Sequence, residues 1–209
     1  MTEAVRLSDL DLSALLCSRV CHDIISPVGA IANGLELMDD PDTDASMKAT
    51  ALDMVRSSAQ TATAKLKLPH RLWCIGFRGA HIDLGEAGET AKAFIGEEKT
   101  KLDWQAPREN RPKAEVKLLL NMLLLGIAGI PRGGTVTVTV DGRSFKVSAK
   151  GERAKVPVAL ADVLNGVTAL DTIDARLVQP YYTRILAQSA GLSIAMGMDG
   201  EDTVAVTAS

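Results

Sequence analysis

The residues of this chain best placed to do chemistry are His22 and its neighbours in Cys21-His22-Asp23-Ile24-Ile25-Ser26-Pro27-Val28. An imidazole becomes a nucleophile through one ring nitrogen when an acid holds and polarises the other, and Asp23 follows His22 directly. Arg19, one helical turn earlier, puts a guanidinium where a phosphoryl group on the ring would need charge compensation. Group transfer through His22, with Asp23 as its orienting partner, is the chemistry these residue types permit.

For that chemistry the imidazole must face outwards, and the surrounding periodicity predicts that it does. Cys17, Ile24, Ile31, Leu35 and Met38, with Val20 or Cys21 and Val28 between them, recur at helical spacing and form one apolar stripe. At about 100° per residue, His22 lies about 160° around the helix from Ile24, away from that stripe. Ser18, Ser26, Gly29 and Asn33 fall within about 40° of it and Arg19 within about 60°. Such small residues let a partner's backbone approach the ring and form a contact face. Pro27 lacks an amide proton and clashes with the carbonyl of Asp23, so a kink is expected just after His22.

The elements that must hold this helix in place are readable from the rest of the chain. Leu7 to Met38 reads as the first helix and Ser46 to Leu68 as the second, joined by Asp39-Asp40-Pro41-Asp42-Thr43-Asp44, with Thr43 or Asp44 as the cap of the second. In the second helix Leu52, Val55, Ala59, Ala62 and Leu66 follow coiled-coil spacing, and the alanines permit close approach. One hairpin cannot bury such stripes by itself. Pairing with a second copy, through Ile24, Ile31, Leu35, Leu52, Val55 and Leu66, yields a four-helix bundle, and a homodimer is expected. The alternative is a hairpin covered by its own downstream domain.

After Pro69 the pattern changes, and a boundary is drawn between residues 1–72 and 73–209. Leu84 to Ile95 and Ala114 to Ala128 read as helices, with a short strand at Leu102 to Ala106 between them. Thr135 to Val140 alternates with period two and turns at Asp141-Gly142 into a returning strand, Arg143 to Ala149. A helix from Tyr181 to Ala190 stops at Gly191, and Leu192 to Met198 with Thr203 to Thr207 make a second hairpin. Helices interspersed with antiparallel hairpins predict an α+β sandwich, one sheet layer covered by helices.

Composition excludes several classes. The 209 residues suffice for one large domain or two small ones; 46% are hydrophobic but only 3% aromatic, favouring aliphatic helix packing. A net charge of −3 shows no nucleic-acid footprint. Glu3, Arg6, Asp9 and Asp11 argue against a secretory signal, and the apolar run Val116 to Ile130 is interrupted by Lys117 and Asn121, so a cytoplasmic protein with no membrane partner is expected. The three cysteines are odd in number and argue against a disulfide framework. Cys17 and Cys21, even with His22 or Cys74, do not assemble the four ligands of a zinc site, and they read as small core hydrophobes. No metal site is expected. His70 and His81 read as exposed residues near the linker. Thr135, Thr137 and Thr139 read as the open face of a strand, and Lys146, Lys150, Arg153 and Lys155 as a solvated basic edge or a surface for an acidic partner.

The stretch from Ser18 to Glu36 resembles the H-box of sensor histidine kinases, in which the phosphoacceptor His precedes an acidic residue and, a turn later, a proline. Its full wording, Ser18-Arg19-Val20-Cys21-His22-Asp23-Ile24-Ile25-Ser26-Pro27-Val28-Gly29-Ala30-Ile31-Ala32-Asn33-Gly34-Leu35-Glu36, is closer to the ChpT family, histidine phosphotransferases of alphaproteobacterial cell-cycle relays. The second domain tests this resemblance. Asn121-Met122-Leu123-Leu124-Leu125-Gly126-Ile127-Ala128-Gly129-Ile130-Pro131 lies over the kinase N-box, Asn-Leu-Leu-x-Asn-Ala-x-Lys-Phe-Thr-Pro. The Asn that holds Mg²⁺ falls on Leu125 and the lysine on Ala128. The Asp-x-Gly-x-Gly box that grips adenine falls on Ala149-Lys150-Gly151-Glu152-Arg153, and Arg176 to Arg184 lacks the glycines of the lid. A hard cation needs oxygen ligands, which Leu125 cannot supply. The resemblance thus implies a degenerate kinase-like α/β sandwich that binds no ATP and no other cofactor, and a phosphotransferase without autokinase activity. It also implies the partners. The donor would be the receiver domain of a hybrid sensor kinase, the acceptors CtrA-like and CpdR-like response regulators, and the receiver would bring the Mg²⁺. The alternative is a non-catalytic protein, derived from a kinase core, that sequesters receivers and has no need of His22.

Overall fold

The computed structural model describes residues 6–69, 80–95 and 99–209. It opens with two long helices, α1 (Asp9–Asp39) and α2 (Ala45–Pro69), joined by a short turn. Ser8 caps α1, its hydroxyl accepting from the Asp11 amide at 3.1 Å. The Asp44 carboxylate caps α2, accepting from Met47 at 2.8 Å. Each cap satisfies an amide that the first helical turn leaves without a partner. Where the two helices cross, Gly34 is buried, and a Cβ there would lie 2.6 Å from Val55 Cγ2 and 3.2 Å from the Ala51 carbonyl. Ala51 and Ala62 are buried in the same seam. Small residues on both helices set the close approach.

The apolar stripes divide in a way the periodicity alone does not anticipate. Within α1 only Pro27 and Gly34 are buried, with Ile24, Ile31 and Met38 half-buried. Val28 and Leu35 stay 49% and 47% exposed. Cys17 and Cys21 are exposed as well, so they are not core residues. In α2 the buried Ala51 and Ala62 and half-buried Val55 form the inner seam, while Ala59 and Leu66 lie exposed on an outer one, with Leu52 half-buried. One broad stripe serves two faces, and a single hairpin fills only one. By length and composition α1 is apolar enough to cross a membrane.

The α/β domain follows as β1 (His81–Asp83), α3 (Leu84–Ile95), β2 (Thr100–Trp104), β3 (Asn110–Pro112), α4 (Lys113–Ala128), β4 (Gly134–Asp141), β5 (Ser144–Lys150), α5 (Val158–Asn165), a 3₁₀ turn at Leu170–Thr172, α6 (Val178–Ser189), β6 (Ile194–Met198) and β7 (Thr203–Ala208). Five strands make one sheet in the order β2-β4-β5-β7-β6, and β1 and β3 pair separately. The hairpin register runs from Thr135 opposite Lys150 to Asp141 opposite Ser144, and Lys146 lies opposite Thr207. Period-two alternation turns Val136, Val138, Phe145, Val147, Ala149, Val204 and Val206 inwards onto α4, whose Leu118, Leu119, Leu120, Met122, Leu123 and Leu125 fill the core. Thr135, Lys146 and Thr207 face out.

Several sequence expectations need correction here. The strand β2 pairs with β4 in parallel, because β3 and α4 intervene and give the chain the long crossover that parallel pairing requires. Elements β1, β3 and α5 were not anticipated. His81 is not a linker residue: it opens β1 and pairs with Pro112. His70, Cys74 and the 72/73 boundary lie outside the described residues. Half of the basic cluster is neutralised by the β6–β7 turn, where Lys146 pairs with Asp199 at 2.8 Å and Lys150 with Asp202 at 3.2 Å. The Lys150 hydrogen bond holds the Asp202 carboxyl below its usual range.

Candidate functional site

The start of α1 is fastened to the α/β domain before the chain reaches His22. The Leu7 amide donates to Tyr181 Oη at 2.9 Å. Leu12, Leu15 and Leu16 pack against Val163, Ile173, Val178 and Tyr181. By helical geometry Leu15 lies two turns before His22 on almost the same face, so the domain abuts the helix just before the imidazole. A further tie comes from Arg19, whose Nη1 donates to the Arg176 carbonyl at 3.4 Å. The outward face begins where these contacts end.

On that face the His22 side chain is 61% exposed, with Nδ1 3.5 Å from Asp23 Oδ1. That is an approach short of a formed hydrogen bond. It places Nδ1 on the side of the acid. The other oxygen, Asp23 Oδ2, accepts from Arg19 Nε at 2.8 Å, a helical i,i+4 pair of which both members are largely covered. Asp23 therefore bridges the imidazole and the guanidinium. Ser18, Ser26, Gly29 and Asn33 are all exposed beside the ring, and a Cβ at Gly29 would meet nothing within 4 Å. The neighbours that the helical wheel gives His22 lie on this exposed face, and the Arg19 guanidinium pairs with Asp23 and the Arg176 carbonyl.

The helix wheel does not show Lys65. Pro27 has no N–H to give the Asp23 carbonyl four residues back. From α2, Lys65 Nζ donates to that oxygen at 3.1 Å, and the lysine is half-buried beneath the site. Counting equal lengths from the Pro41–Thr43 turn places Asp23 opposite Thr61, one helical turn before Lys65.

In the α/β domain, Leu125 and Ala149 are fully buried, the first inside α4 and the second on β5 facing Gly126. Asn121 is buried too, its Nδ2 donating to the Lys117 carbonyl and its Oδ1 accepting from Gln179. Among the described residues no group of three or more His, Cys, Asp or Glu side chains could hold a metal ion.

The histidine phosphotransferase C-terminal domain family matches residues 84–202. Protein phosphotransferase ChpT of Brucella abortus (strain 2308) is 43% identical over 209 residues, covering 98% of both chains. The chain belongs to the ChpT-type histidine phosphotransferases. A solved bacterial phosphotransferase, determined at 1.7 Å, superimposes with a TM-score of 0.86 at 41% identity, again across 98% of each chain. That superposition spans the hairpin and the α/β domain together. This phosphotransferase relays phosphoryl groups through histidine chemistry in a phosphorelay.

Proposed function

We propose that His22 Nε2 carries the phosphoryl group, that receiver domains are the partners on both sides of the relay, and that the working unit is a homodimer. The observation that carries this reading is the exposed imidazole with Asp23 on its Nδ1 side, on a face of small residues. A receiver bearing an aspartyl phosphate would dock over Ser18, Ser26, Gly29 and Asn33. Nε2 attacks phosphorus in line, the N–P bond forms as the acyl-phosphate P–O bond breaks, and the receiver's aspartate leaves as a carboxylate. Asp23 keeps the Nδ1 proton in place and stabilises the charge that builds on the ring, while Arg19 holds Asp23. The receiver's own Mg²⁺ would supply charge neutralisation at the phosphoryl oxygens. This chain contributes chiefly positioning. Transfer to a second receiver is the same step in reverse, because a phosphoramidate is itself a high-energy donor.

By the family resemblance the donor is the receiver of a hybrid sensor kinase and the acceptors are CtrA-like and CpdR-like regulators, in the cytoplasm. The exposed Val28, Leu35 and Leu66 support a second copy on the outer seam, where each large aliphatic buried contributes about 1.5–3 kcal/mol. The bundle would be built by residues 1–72. Residues 73–209 would form the degenerate kinase-like domain, and the burial of Leu125 and Ala149 where metal and adenine would need ligands supports a domain without nucleotide. Mixing the chain with a phosphorylated receiver domain tests the reading. Acid-labile phosphate should appear on the wild type and be absent from His22→Ala with fold and dimer intact; labelling that survives the substitution overturns the assignment.

A further inference from the structure

Every backbone carbonyl inside a helix expects an amide donor four residues on, and Pro27 denies one to Asp23, the residue that orients the phosphoacceptor. The carbonyl is met by the Lys65 ammonium at 3.1 Å, from the other helix of the hairpin. The carboxylate of the same residue is met by Arg19 at 2.8 Å. Asp23 is thus held at both ends by cations, one from its own helix and one from α2, and the residue so held is the one whose Oδ1 lies 3.5 Å from His22 Nδ1. Pro27 is buried, and the carbonyl it leaves open faces α2, from which the Lys65 stem reaches it.

We propose that Lys65 is a positioning residue for phosphoryl transfer: by donating to the carbonyl that Pro27 leaves open, it fixes the Asp23 backbone and, through the Asp23 carboxylate, the ring of His22. The proposal rests on His22 being the phosphoacceptor. Lys65 acts through the peptide unit between Asp23 and Ile24 and makes no contact with the phosphoryl group in this role. The proline and the lysine therefore form one device. Proline creates the need, and lysine meets it from the second helix, tying the geometry of the acceptor to the closure of the hairpin.

The pairing makes the test sharp, because Pro27→Ala restores the missing N–H and should make Lys65 redundant. Single-turnover transfer is measured on the full chain from a desalted receiver domain that has been charged with acetyl phosphate and labels the wild type. Lys65→Met, which keeps the aliphatic stem, should slow transfer roughly tenfold through misplacement of the ring, and Lys65→Arg should restore most of the rate. In the Pro27→Ala background the same Lys65→Met change should alter the rate by less than about twofold, since the carbonyl then has its helical donor. Imidazole nitrogen NMR, with His22 assigned by its loss in His22→Ala, should report an Nδ1–H tautomer in the wild type that is eroded in Lys65→Met. Equal losses in both backgrounds would mean that Lys65 acts on the phosphoryl group or on the hairpin as a whole, and no loss in either would mean that it does nothing; both overturn the proposal. If Lys65→Met proves unfolded by circular dichroism, Lys65→Gln is measured in the same cycle. Labelling that persists in His22→Ala is a different failure, that of the acceptor assignment itself.

Discussion

Replacing Asp23 by Asn separates orientation of the imidazole from its chemistry. The carboxamide keeps the shape of the side chain and can still accept through its oxygen, but it removes the charge 3.5 Å from Nδ1. The Coulomb energy of two unit charges at that distance is about 1.2 kcal/mol in a water-like medium and about 4.7 kcal/mol at an effective dielectric constant near 20. The two values predict very different outcomes. His22 is 61% exposed, and Asp23 already shares its charge with Arg19, so the water-like value applies. That energy is lost where the ring becomes positive, in the transition state, and about 1.2 kcal/mol corresponds to roughly an eightfold lower transfer rate. Rapid-quench transfer from a phosphorylated receiver at saturating concentration reads this rate directly. A loss as complete as that of His22→Ala would mean that Asp23 moves a proton or touches the phosphoryl group, and an unchanged rate would remove it from the site.

Three further outcomes follow from the packing. Leu35→Asp places a charge in the outer seam of α1 and should turn a dimer into a monomer at micromolar concentration, as read by sedimentation velocity; a wild type that sediments as a monomer and still transfers phosphate rules out the bundle. Gly34→Val drives a branched side chain into Val55 and the Ala51 carbonyl, and overpacking of about 2 kcal/mol should lower the melting temperature by about 5 °C; an unchanged value would show the crossing to be looser than the structure has it. Calorimetric titration with Mg-ATP should give no heat of binding, because Leu125 and Ala149 lie in the core where metal and adenine contacts would be needed; a dissociation constant of about a millimolar or tighter refutes this.

The fold was legible where a period repeats long enough to be counted. The thirty-one residues of α1 and the alternation from Gly134 to Asp141 declare themselves. The three-residue strands β1 and β3 hold too few residues for any period. In contrast, α5 carries a readable signature: Pro157 precedes its first residue and Gly166, in the left-handed conformation with φ 72°, follows its last. The pairing of β2 was out of reach for another reason. Alternation identifies a strand but says nothing of its neighbour or its direction.

The His22 face and its support differ in legibility for the same physical reason. Which side of a helix a residue occupies depends only on backbone geometry, so Ser18, His22, Ser26, Gly29 and Asn33 could be placed together from spacing alone. What covers the opposite side depends on other elements. The stripe that reads as one face is shared, with Ile31 and Met38 half-buried and Cys17, Cys21, Val28 and Leu35 left exposed. Apolar character marks both parts alike, so spacing alone does not separate the exposed Cys17 and Cys21 from core positions. Lys65 is hidden for the converse reason, since nothing in the spacing of α2 distinguishes it from Lys48 or Lys67 on the same helix. It becomes meaningful only when Pro27 is read as an unanswered carbonyl and the hairpin register brings an ammonium to it. A proline inside a functional helix is therefore a prompt to ask which side chain, on which neighbouring element, supplies the missing donor.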